Sequence, residues 1–102
     1  MSIAVVSNAS STEATLSMDK NFDFNCVNEF LCAYEGADIA SGGHFIVDLR
    51  RTHYMDSSAL GMLINMHKFL TGKNIGIRII NSSAQIRKIF TISRFDKKFQ
   101  ID

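Results

Sequence analysis

Apolar residues along this chain recur at two periods, and the switches between those periods divide it into elements. Ile3-Ala4-Val5-Val6 and Ala14 to Met18 read as two short strands. In the second, Ala14, Leu16 and Met18 alternate with Thr15 and Ser17, as a half-buried strand requires. The Ser/Asn-rich segment Ser7 to Thr12 joins them as a turn, and the polar run Asp19 to Asp23 interrupts the pattern. From about Phe24 the spacing turns helical: Phe24, Val27, Leu31 and Tyr34 share a stripe, Phe30 widens it, and Gly36 is a natural stop.

Ser41-Gly42-Gly43 reads as a flexible turn. Phe45 to Leu49 follows as a nearly continuous apolar run, the mark of a strand covered on both faces. A second helix is expected from Ser57 to Thr71, stopping at Gly72. Ile75, Ile77 and Ile79 alternate with Gly76 and Arg78 as a further strand. Asn81-Ser82-Ser83 supplies capping residues for a short helix with Ile86, Ile89 and Phe90 on one face, and Phe99 to Ile101 closes as an edge strand. Such alternation implies an α/β fold, a mixed sheet with parallel pairs and helices packed against it. Proline is absent, and no linker, repeat or low-complexity tract occurs. Residues 1–102 are therefore expected to form a single domain.

The second helix carries more apolar surface than one contact needs. At about 100° per residue, Leu60, Leu63, Ile64, His67 and Leu70 share a face, and Met62, Met66 and Phe69 extend it to an arc of roughly 220°. Gly61, Asn65 and Lys68 fill the remaining strip. Two readings stand at this point. Neighbouring helices cover the extra width, or Met62, Met66 and Phe69 stay partly exposed as an adaptable protein-binding surface, a role that suits methionine.

Composition narrows the function. The formal net charge of +1, with Lys and Arg in no run longer than a pair, argues against a broad nucleic-acid surface. No apolar run approaches the roughly 20 residues that span a bilayer, so no direct membrane insertion is expected. Met1 to Ser11 lacks a secretory pattern, which makes a cytoplasmic protein the expectation. Cys26 and Cys32, six residues apart on one helix, lie about 9 Å apart along the axis, beyond easy disulfide geometry. They are expected to be reduced thiols. No metal-ligand set or cofactor motif is apparent.

The chemistry-bearing stretch is Asp56-Ser57-Ser58-Ala59-Leu60-Gly61, where a buried strand gives way to the second helix. Helix N-termini have unpaired N–H groups and a positive dipole end. The serines there are either part of a cap or a place for a phosphoryl group, which adds about −1.5 to −2 charges. The helix end tolerates such charge, whereas Asp56, and Asp48 or Asp23 if near, repel it. A catalytic serine is not supported: the segment is not Gly-x-Ser-x-Gly, His53 lacks a surrounding cleft, and no P-loop occurs. His44 and His67 read as a strand start and a helix-face residue. The chain is expected not to be an enzyme.

Phe45-Ile46-Val47-Asp48-Leu49 followed by Tyr54-Met55-Asp56-Ser57-Ser58-Ala59-Leu60-Gly61 resembles the core motif of the STAS domain family, named for sulfate transporters and anti-sigma factor antagonists. The resemblance extends over nearly the whole chain and is greatest to standalone bacterial antagonists. It implies a partner-switching module. Unphosphorylated, such an antagonist binds an anti-sigma factor that is also a serine kinase of the histidine-kinase-like ATPase type; phosphorylation weakens the complex and a metal-dependent PP2C-type phosphatase restores it. Carried over by position, Ser57 is the phosphoacceptor, Asp56 the preceding acid, Ser58 the second hydroxyl, and Asp23 an acid near the acceptor. The expected docking surface combines Asp23, Ser57, Ser58, Gly61, Met62, Met66 and Phe69. Two positions depart from the family pattern: Ala59 stands where glycine is usual, and Lys20-Asn21-Phe22-Asp23 where many members have Gly-Glu-Leu-Asp. The rival reading is a non-switching STAS subunit of a lipid transporter or sensory scaffold.

Overall fold

A computed structural model describes residues 3–8, 10, 12–37, 39–97 and 99–102. The expected Ser7 to Thr12 turn includes Ala9 and Ser11, which lie outside the described residues, as does Lys98. Strands β1 (Ala4–Ser7) and β2 (Glu13–Ser17) pair antiparallel with Val6 opposite Thr15. The chain then forms β3 (Asn21–Phe22), a 3-10 turn (Phe24–Cys26) and helix α1 (Val27–Glu35). Next come β4 (His44–Asp48), β5 (Tyr54–Met55), α2 (Ser57–Thr71), β6 (Gly76–Ile80), α3 (Ala84–Ile92), a second 3-10 turn (Phe95–Lys97) and β7 (Gln100–Ile101).

The main sheet has the order β1-β2-β4-β6-β7, with every pair after the first parallel. Each parallel step moves one strand in the same direction, so right-handed crossovers bring all three helices to one face. Ala14, Leu16, Phe45, Val47, Ile77 and Ile79 point to that face and form one core with Phe30, Leu63, Met66, Leu70, Ile86 and Phe90. The other face carries Thr15, Ser17, His44, Asp48 and Arg78. Ile46 is buried even there, between Thr15 and Arg78 in register. The helices thus cover β4 on one face only; on the other, where its composition predicts a second cover, Ile46 alone is buried, among neighbouring side chains of the sheet.

Two further expectations need correction. The polar run Asp19 to Asp23 is not merely an interruption: Asn21–Phe22 pairs in parallel with Tyr54–Met55 as a separate two-stranded ribbon. A two-residue strand is too short to display a period. The first helix also buries only part of the predicted stripe: Phe30 and Tyr34 are in the core and Val27 is packed against it, but Phe24 and Leu31 are not. Its opening turn is 3-10, about three residues per turn rather than 3.6, which shifts the phase of everything before Val27. Cys26 rather than Phe24 is consequently buried, while Leu31, inside the regular helix, lies at the edge of the stripe and is 38% exposed. The α1 and α2 ends match expectation, with the Gly36 N–H donating to the Cys32 carbonyl at 2.9 Å and Gly72 following α2.

Candidate functional site

Asp56 and Asp23 start two neighbouring helical segments in the same way. Asp56 has extended backbone (φ −113, ψ −176), and its Oδ1 accepts from the Ala59 N–H at 3.1 Å. Asp23 is also extended (φ −141, ψ −172), and its Oδ1 accepts from the Asn25 N–H at 3.0 Å. The β3–β5 ribbon holds the two starts together. Phe22 is in register with Met55, and the Asp56 N–H donates to the Phe22 carbonyl at 3.4 Å. Each aspartate directly follows a member of that buried pair, so the two helix starts leave neighbouring strand ends.

The capping role at α2 therefore belongs to Asp56. Ser57, the first helical residue, is exposed, and among the described residues its hydroxyl makes no hydrogen bond. Ser58 is half-buried beside it, and Gly61 lies one turn along in open space. Ser57, Gly61, Asn65 and Lys68 form the exposed strip of α2. Ala59 is fully buried with its N–H on the Asp56 carboxylate. At a helical position with a covered methyl, alanine suits the backbone better than the family's glycine.

The wide apolar face of α2 is covered. Met66 is 0% and Met62 7% exposed, so neither offers the adaptable surface expected of them. The helix packs on the sheet and along α1, and the two contacts together occupy the extra arc. Phe69 is half-buried: Tyr34 meets its ring edge-on at a centroid distance of 5.5 Å, and the Lys73 Nζ lies 4.5 Å from its centre. Of the residues expected to dock a partner, Ser57 and Gly61 are exposed and Asp23, Ser58 and Phe69 half-buried, whereas Met62 and Met66 belong to the core.

Sequence patterning missed three apolar residues of this region that face solvent. Phe24, next to Asp23, is 67% exposed, and Tyr54, two residues before Asp56, is 53% exposed. Leu31 is exposed on the rim of a shallow groove of about 90 Å³ between α1 and α2, lined also by Val27, Phe30, Tyr34, Met62 and Asn65. The available signal was the alternation in Tyr54-Met55-Asp56: once Met55 points inward, Tyr54 must point outward.

Asp48 does not join this cluster. Its Oδ1 accepts from the Arg50 N–H at 2.9 Å and the Asn81 side chain at 3.1 Å. It lines a different cavity of about 280 Å³ with Ala4, Ser17, Met18, Arg50 and Arg51. His44 starts β4, and His67 on α2 meets the Phe99 ring edge-on at 5.2 Å. Both cysteines are free: Cys32 is exposed, and Cys26 is buried with its thiol donating to the Asp23 carbonyl at 3.0 Å. Burial pushes the Cys26 thiol pKa up, and the nearby Asp23 charge acts in the same direction. No helix among the described residues is long and apolar enough to cross a membrane.

Comparison with known proteins places the fold and the family. A STAS-domain containing protein of Pseudomonas aeruginosa (strain UCBPP-PA14) is 39% identical over 101 residues, which is 99% of each chain. The fold is shared with the anti-sigma factor antagonist SpoIIAA in its unphosphorylated form, at a TM-score of 0.72 and 16% identity over 99% of this chain and 87% of that one. It is shared equally with the Bacillus cell fate determinant SpoIIAA in its phosphorylated form, at a TM-score of 0.70 and 16% identity over 99% of this chain and 91% of that one. The STAS domain model matches residues 5–102, and with that match the chain belongs to the STAS domain family.

Proposed function

We propose that this chain is an anti-sigma factor antagonist that works by partner switching, with Ser57 as its phosphoacceptor. The observation that carries this reading is the division of labour at the start of α2: Asp56 caps the helix, which leaves the Ser57 hydroxyl exposed and unengaged. A SpoIIAA structure of the same fold exists in a phosphorylated form, which supports the reading without fixing the residue. The module is not itself an enzyme and acts in the cytoplasm. Unphosphorylated, it binds an anti-sigma factor that is also a serine kinase of the histidine-kinase-like ATPase type, and a PP2C-type phosphatase reverses the modification.

The docking surface is the Asp23 and Asp56 pair, Ser57, Ser58 and Gly61, flanked by Phe24, Tyr54 and Leu31 in place of the buried methionines. Exposed aromatic side chains are the usual anchors of such surfaces. A phosphoryl group on Ser57 sits beside two carboxylates, so its added charge is poorly compensated once water is excluded. Mass mapping after incubation with the kinase and ATP tests the assignment: the phosphate is expected on Ser57, and its appearance elsewhere overturns the site. Co-purification indifferent to Ser57→Ala and Ser57→Asp would instead favour a constitutive STAS subunit.

A further inference from the structure

The formal charge of +1 conceals a segregation. Eight of the eleven Lys and Arg residues, but only two of the ten acids, lie in residues 68–102. Five of these cations, Arg87, Lys88, Arg94, Lys97 and Lys98, with the single acid Asp96, fall in α3 and the residues just after it; Lys68, Lys73 and Arg78 belong to α2, the loop after it and β6. Lys88 and Ile92 are one helical turn apart on the outer face of α3, with Arg87 beside them; Arg94 and Lys97 follow in the next turn, and all five are exposed. Among the described side chains, none of these cations forms an ion pair. Arg87 reaches only the Ser82 carbonyl, at 3.4 Å.

Two further features set this corner apart. Ile92 is 73% exposed, more than Phe24 beside the acceptor site. Arg94 has a left-handed backbone (φ 60) just after the C-cap Ser93, a place where glycine is the ordinary occupant. A long cationic side chain is held there although the backbone favours a residue with none.

We infer that the α3 corner docks peripherally on an anionic lipid surface. Its cations reach the phosphate level and Ile92 the headgroup–acyl boundary, the pairing of exposed cations with an exposed apolar side chain that an anionic lipid surface accommodates. Co-sedimentation of the full chain with phosphatidylcholine vesicles containing about 30% phosphatidylglycerol, in about 50 mM salt, tests this. Binding is expected there, with none to pure phosphatidylcholine and release at about 0.5 M salt. Lys88→Glu combined with Arg94→Gly should weaken it at least about tenfold. Arg94→Gly alone should leave the Tm equal or higher, because it relieves the backbone, while still weakening sedimentation. Ile92→Ser should weaken binding without altering its salt dependence. Failure to sediment with the anionic vesicles overturns the inference, as does undiminished binding by the double variant. Retention on immobilised polyglutamate without vesicle binding would assign the corner to an acidic protein surface instead.

Discussion

Asp23 and Asp56 directly follow Phe22 and Met55, which are in register on adjacent parallel strands, and each carboxylate caps the helical segment it begins. One two-residue ribbon thus brings two helix starts and the Ser57 hydroxyl to a common surface.

Removing the α2 cap has a defined cost. Asp56→Ala is expected to destabilise the fold by about 0.5–2 kcal/mol, read as a lower Tm. Asp56→Asn retains an accepting oxygen and should recover most of the loss. It also removes one charge beside Ser57, so loss of partner binding in the Asn variant would trace to that charge rather than to helix fraying.

Core and docking residues should separate cleanly. Met66 is fully buried, so Met66→Ala should cost about 2–5 kcal/mol of stability. Phe24→Ala and Tyr54→Ala alter exposed rings and should change stability by no more than about 0.5 kcal/mol. If those rings anchor the partner, each weakens binding by more than about 1 kcal/mol, measurable by calorimetry with the purified partner. Unchanged affinity in both would remove the aromatic flank from the docking surface.

Thiol reactivity reports the two cysteine environments. Cys32 is exposed and Cys26 buried, so a thiol reagent should titrate one cysteine in native protein and both after unfolding. Burial raises the Cys26 pKa, so the folded state favours the neutral thiol. That contribution is complete below the unfolded thiol's pKa and is lost as pH rises through the higher folded value. Tm should therefore fall above about pH 9, less steeply in Cys26→Ala.

Much of the fold was legible because its longer elements repeat their pattern often enough. The run Phe45 to Leu49, the α2 stripe and the Ile75/Ile77/Ile79 alternation each correspond to an element with ends close to those expected. The β3–β5 ribbon was not legible, because two residues per strand carry no periodicity and its pairing spans more than thirty residues of sequence. The 3-10 turn at Phe24–Cys26 was equally hidden, and it moved Phe24 from the expected core to the surface. At the site, the motif singled out Asp56 and Asp23, which both cap helical segments, and Ser57, which is exposed. It could not say whether α1 would cover Met62 and Met66, since that depends on how two helices meet.

The central claim is that modification of Ser57 controls partner binding. Its most direct test is the affinity of the partner recovered with Ser57→Ala, measured as a purified pair against this chain before and after stoichiometric phosphorylation mapped to Ser57. The account predicts equal affinity for the unmodified chain and Ser57→Ala, and at least a tenfold loss on phosphorylation, a difference of only about 1.4 kcal/mol. Equal affinity of the phosphorylated and unphosphorylated forms would contradict it.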